Sequence, residues 1–290
     1  MKKRNSEAYA MIQKYILRNT KAKIGIGILL FFTLVAVFAP LIAPYEPNSI
    51  EFIPWEPPSA KHLLGVNSYG QDIFSQTIYG TRITMTVGIL AGLLTSLVGI
   101  FVGLLAGYKG GIVSEILMRF VDVLLVIPTL ALMIVIASLL DGMSVWNTVV
   151  VIGALSWLFM ARSIRSQTLS ESKRDYVDAA KALGMGDFEI MIREILPNIL
   201  PVVTANMVMV ITTSMLTEAS LSFLGIGAPD AISWGRMLSV AFDNAAMIYN
   251  AWWWMIPPGL CIGTLGYSFM LIGNSFLDIY AGDRGGSVKL

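Results

Sequence analysis

The chain predicts an all-α integral membrane protein with six transmembrane helices. Of its 290 residues 56% are hydrophobic and only 13% charged, mean hydropathy is +0.70, and six stretches approach the roughly 20 apolar residues that cross a hydrocarbon core. Apolar residues fall on all faces of these stretches rather than at alternate positions, which selects helices over a transmembrane barrel.

Residues 1–23 precede the first span, and Met11, Ile12, Tyr15 and Ile16 recur there at helical spacing with Lys14 and Arg18 between them. That is the pattern of a short amphipathic helix in the cytoplasmic interface, with a disordered basic tail as the alternative. The first span, 24–43, is too long for a signal core and has no small-residue cleavage pattern after it, so it is expected to be retained. The other spans are predicted at 83–107, 116–140, 145–161, 200–223 and 252–277, so that 24–290 forms one membrane domain. Between them lie a long loop, 44–82, a polar island, 161–198, and a second loop, 225–251.

Lys and Arg set the orientation. Lys2, Lys3, Arg4, Lys14, Arg18, Lys21 and Lys23 precede the first span, and Arg162, Arg165, Lys173, Arg174, Lys181 and Arg193 lie in the island. Loop 44–82 has only Lys61 and Arg82, and loop 225–251 only Arg236. The positive-inside rule then places both termini and the island in the cytoplasm and the two loops outside.

Within the island, residues 163–183 read as helix, ended by Gly184 in a left-handed conformation. After Gly186, Asp187 is placed to cap a second helix, 188–195, stopped by Pro197. Ala179, Ala180 and Ala182 keep the first helix slim, while Leu183, Met185 and Phe188 put apolar bulk at the turn. Such a knob suits a groove on another protein; an ordinary loop folded back on the membrane is the plain alternative.

Other residues carry weaker expectations. Arg119 and Asp122 are three apart on one helical face and could form an ion pair. Glu218, near the outer end of span five, should face a transport pathway or a polar partner. Trp252, Trp253 and Trp254 suit an interfacial anchor. Cys261 reads as buried packing, and the lone histidine, His62, lies outside and gives no histidine metal cage. No Walker-type phosphate loop and no Ser, His and acid set is visible, so catalytic residues are expected to be none and any energy must come from another subunit or an ion gradient.

Asp178-Ala179-Ala180, Gly184 and Leu196-Pro197 resemble the cytoplasmic loop signature of ABC importer permeases, Glu-Ala-Ala, Gly, Ile and Leu-Pro, with Asp178 replacing Glu and Glu194 standing in place of Ile. Pro58-Ser59, Leu64-Gly65, Tyr79-Gly80-Thr81-Arg82, Met118-Arg119, Asp122, Pro128, Glu218-Ala219, Leu221 to Gly225 and Trp234-Gly235 are similar to the second permease of dipeptide, oligopeptide and nickel systems. Here Val66-Asn67 replace Thr-Asp, Gln71 and Gln76 replace two arginines, and Ser114 occupies an acidic position. The resemblance implies the type I ABC importer permease fold. It also implies a homologous second permease, two cytoplasmic ATPases that bind ATP and magnesium, an extracytoplasmic binding protein, and a membrane lipid setting. No cofactor is implied for this chain, and its net charge of +1 gives no case for nucleic-acid binding.

By the same resemblance, Asp178, Ala179, Ala180, Leu183, Gly184, Met185, Gly186, Asp187, Leu196 and Pro197 would couple to the ATPases, with Arg119, Asp122 and Glu218 as pathway or gating candidates. Peptide is the expected cargo and nickel, bare or chelated, the alternative. A secondary transporter would need interrupted helices, for which Pro257-Pro258 is the visible break. A membrane-embedded enzyme would need paired polar groups such as Asp122 and Glu218. A structural scaffold would leave the island unexplained.

Overall fold

A computed structural model describes residues 19–140 and 142–285; the amphipathic pattern around Met11 to Ile16 lies outside them. The described residues are helical throughout apart from loops and one isolated bridge between Val66 and Asp72. Helix α1 (Thr20–Val37) starts where Asn19 accepts from the Lys21 amide, before the predicted boundary. Helix α2 (Ile73–Lys109) begins ten residues ahead of its predicted span, because Asp72 caps it through the Ser75 amide at 2.8 Å.

Spans three and four, predicted as continuous, are broken. Helices α3 (Gly111–Val126) and α4 (Thr129–Ser138) meet at 85°, and α5 (Val145–Leu155) and α6 (Leu158–Glu171) at 42°. At the first break Pro128 lacks an N–H and drives Ile127 to extended backbone, φ −80°, ψ 128°. At the second, the Trp157 indole donates to the Ala154 carbonyl at 2.9 Å, next to Ser156. Helices α7 (Asp175–Ala182), α8 (Leu196–Phe223), α9 (Trp234–Asp243) and α10 (Trp252–Gly285) complete the order. Among the described residues four helices are long and apolar enough to span a membrane alone, and six spans result if each bent pair counts as one. Pro257 and Pro258 do not interrupt α10.

Helix α2 is the spine, packed by α5, α6 and α8, while α10 joins α8 to α1. Its contact with α6 depends on small residues four apart. A Cβ on Gly99, Gly103 or Gly107 would come within 2.8 Å, 2.7 Å or 2.5 Å of Met160, Ile164 or Thr168. Close approach of this kind replaces the hydrophobic effect that lipid cannot supply between helices. The island's helices are therefore fixed directly to the membrane spine.

The loop that precedes α2 is also ordered. His62 is fully buried among Tyr45 and Phe52, with Nδ1 2.9 Å from Asp72 Oδ1. Of the three tryptophans expected as an interfacial belt, Trp252 is exposed, whereas Trp254 is core, set edge-on to Trp55. The difference arises because the loop 44–72 folds over the start of α10 and covers the Trp254 ring.

Candidate functional site

The polar island is built from three pieces. Residues 163–183 are not one helix: α6 stops at Glu171, where the Ser172 hydroxyl donates to the Leu169 carbonyl, and Arg174 is extended before α7. Asp175 and Asp178 lie in the first turn of α7 and Lys181 in its last, each favourable to the helix dipole. Val177 and Ala180 are buried against Ile164, Ile190, Met191 and Ile195, so one face of α7 is glued to the rest of the island. Tyr176 donates to Glu171 at 3.0 Å. Burial, and then that hydrogen bond, push its phenol up to about 12, so it stays a donor across physiological pH.

Gly184 ends α7 as the sequence predicts, with φ +80°. The Met185 amide reaches the Ala180 carbonyl at 3.2 Å and the Gly184 amide reaches Lys181 at 2.9 Å. This is a full Schellman cap, and Met185 folds inward beside Ala180 as its hydrophobic closure. Leu183 and Phe188 instead project outward at 83% and 66% exposure, with Asp178, Ala179, Gly184, Gly186 and Asp187 around them. The result is a polar collar with two apolar prongs.

Two expectations about the second helix are corrected. Asp187 does not cap it, since Gly186 occupies that position without a side-chain bond. The Asp187 carboxylate accepts from Tyr108 at 2.9 Å and from Lys109, pinning the tip to the end of α2. An ammonium and a phenol already at that spot outcompete two backbone amides. Pro197 does not stop the helix either. After Asp187–Glu189 comes a π-helical segment, Ile190–Ile195, in which the Leu196 amide bonds to the Met191 carbonyl. Pro197 then falls in the first turn of α8, where a missing N–H is tolerated. The tip and the span are one rod, Asp187–Phe223. Glu194 is half-buried, and the neighbouring Ile195 takes the core position.

Arg119 and Asp122 do not pair with each other. Asp122 binds Arg162 on α6, and Arg119 sits 3.6 Å from Glu115 one turn away. Arg165 Nε donates to Ser114 at 2.9 Å, so α3 and α6 are cross-linked at the same end as the tip. Glu218 is buried, its carboxylate accepting from Ser222 at 2.7 Å within α8. Sequence reasoning missed Tyr108 and Lys109, which lie on another span and carry no local signal.

The family described as binding-protein-dependent transport system inner membrane component matches residues 99–281, a stretch that contains this whole island. The chain belongs to that family. A second description, the N-terminal TM domain of oligopeptide transport permease C, matches residues 11–58 of this transport component. The dipeptide transport system permease protein DppC of Haemophilus influenzae is 36% identical to it over 272 residues, 91% of each chain. DppC of Bacillus subtilis is 34% identical over 265 residues, 90% of this chain and 81% of the relative. The oligopeptide transport system permease protein OppC of the same organism is 32% identical over 263 residues, 90% and 85% of the two chains. The all-helical architecture is that of a type I ABC permease, a multi-pass membrane component of a transporter.

Proposed function

We propose that the chain is the permease subunit of an ATP-driven importer that carries dipeptides or oligopeptides into the cytoplasm. The observation that carries this reading is the exposed pair of Leu183, at the cap of α7, and Phe188, on the rod continuous with α8, in a chain whose relatives are named as peptide permeases. The tip, Asp178 to Asp187, sits in a groove of a partner ATPase, and Leu196-Pro197 form the root through which its displacement reaches the membrane. Burying Leu183 and Phe188 there would contribute about 1.5–3 kcal/mol each. The partners are a homologous second permease, two ATPase subunits that bind ATP and magnesium, and an extracytoplasmic binding protein. Both termini and the island are cytoplasmic, and loops 44–82 and 225–251 face the binding protein. Arg119 and Asp122, tied to Glu115 and to Arg162 on α6, form a polar set that can repartner when α6 moves.

Affinity purification in mild detergent tests the assembly. Recovery with a second permease and ATPase subunits is expected, together with ATP-dependent peptide uptake after reconstitution. Recovery of the chain alone, with proton-driven uptake, would overturn the proposal in favour of a secondary transporter.

A further inference from the structure

Two adjoining cavities of about 370 Å³ and 360 Å³ open beside α8 and share Thr129, Ser156, Thr213 and Thr217 in their walls. Along α8 the polar part of the wall is Asn206, Thr213, Thr217 and Ser220, which recur on one helical face over about 21 Å with Met209, Val210 and Leu216 beside them. No Asp, Glu, Lys or Arg lines either cavity.

Both interrupted spans meet this face, Thr129 opening α4 and Ser156 closing α5. Depth follows from α2. The Trp157 carbonyl is 3.2 Å from where a Gly99 Cβ would stand, so the α5–α6 break lies about 15 Å from the Lys109 end of α2. Against a hydrocarbon layer of about 30 Å, that is close to the midplane. Non-helical backbone at such depth is tolerated only when buried in protein or lining a water-filled cavity. The α3–α4 break reaches the same two cavities through Thr129, and this chain leaves it uncovered, with Val126 beside it 83% exposed.

The hydroxyls have a definite polarity. Thr213 donates to Val210 at 2.9 Å, Thr217 to Thr213 at 2.8 Å and Ser220 to Leu216 at 2.8 Å. Their protons are held within α8, so the groups they present to the cavity are oxygen lone pairs. A row of neutral acceptors suits a ligand rich in N–H donors.

We propose that Thr213, Thr217 and Ser220, with Thr129 and Ser156 opposite, form this chain's half of the conduit and take a peptide in transit by its backbone N–H groups, without discriminating side-chain charge. The assignment rests on the peptide-importer function proposed above. It also gives the tip its effect, since Asp187 and this row stand on one rod.

The test uses membrane vesicles from cells producing the whole transporter. Cys261→Ser is combined with Thr213→Cys or Thr217→Cys, with Leu97→Cys on the exposed side of α2 as control. Labelled di- to pentapeptides report uptake before and after methanethiosulfonate ethylammonium. Both conduit variants are expected to lose uptake on modification, more slowly with excess unlabelled peptide, while Leu97→Cys keeps it. Uptake that persists after treatment at both positions overturns the assignment. Thr213→Val with Thr217→Val should raise KM by a similar factor for acidic, basic and neutral dipeptides; a rise confined to one charge class also overturns it. A parent complex, with Thr213 and Thr217 intact, that assembles and hydrolyses ATP yet takes up no peptide overturns the proposed cargo, and the conduit assignment with it.

Discussion

Gly184→Pro is the sharpest perturbation of the tip. The cap requires φ +80° at this position, whereas proline is held near −65°, roughly 145° away. Proline also deletes the N–H that reaches Lys181 at 2.9 Å. Strain of about 1–3 kcal/mol and a lost hydrogen bond of about 1 kcal/mol together disfavour the native tip by about 2–4 kcal/mol. At about 1.4 kcal/mol per tenfold, its population falls by about 30- to 700-fold. A Cβ at 184 would meet nothing within 4 Å, and α7 stays attached through Val177 and Ala180, so the damage is local. Gly184→Ala keeps the N–H and carries only the left-handed penalty of about 1–2 kcal/mol, or about 5- to 30-fold. Asn tolerates this conformation better than Ala. In reconstituted proteoliposomes, ATP-dependent uptake should fall in the order Gly, Asn, Ala, Pro, with recovery of the permease pair unchanged. Normal uptake by the proline variant would refute the force-transfer argument. Loss of the permease pair would refute the claim that the damage stays in the tip.

Other variants address separate contacts. Leu183→Ala and Phe188→Ala should each weaken ATPase binding by about 1.5–3 kcal/mol, measured as reduced co-purification at limiting ATPase; unchanged recovery of both would remove the prongs from the interface. Asp187→Asn weakens the acceptor shared by Tyr108 and Lys109. Peptide taken up per ATP hydrolysed should drop while the complex stays whole, and an unchanged ratio would make the pin dispensable. Glu218→Ala leaves Ser222 without its partner in the core and should lower stability by about 1–3 kcal/mol in thermal unfolding in detergent. Glu218→Gln keeps an acceptor and should stay close to the parent; equal losses would point away from that hydrogen bond. Gly103→Leu drives a side chain into Ile164 and should destabilise the α2–α6 contact by about 1–3 kcal/mol, read as a lower unfolding temperature.

Apolar run lengths were enough to find the membrane helices, four that span alone and two bent pairs, because water and lipid act on each segment independently of its neighbours. Gly184 was legible for a related reason: a cap is a local event, settled by which residue accepts a positive φ. Leu183, Met185 and Phe188 could be named as the apolar bulk at the turn, but packing chose among them: Met185 folds inward and Leu183 and Phe188 stay exposed. Tertiary structure decided everything that depends on a distant group. Asp187 had a plausible local role as a cap, but Lys109 and Tyr108 arrive from 78 and 79 residues away and take its carboxylate. Asp122 prefers Arg162, 40 residues off, to Arg119 one turn away. Pro197 looked like a stop until the π-helical segment before it supplied a register that needs no proline N–H. The 85° break at Pro128 was foreshadowed by one residue, yet its meaning came only when Thr129 met Ser156 and Thr213 across the cavity. A sequence fixes which groups want burial, charge or a left-handed turn; the packed helices choose which competing partner is close enough to satisfy them.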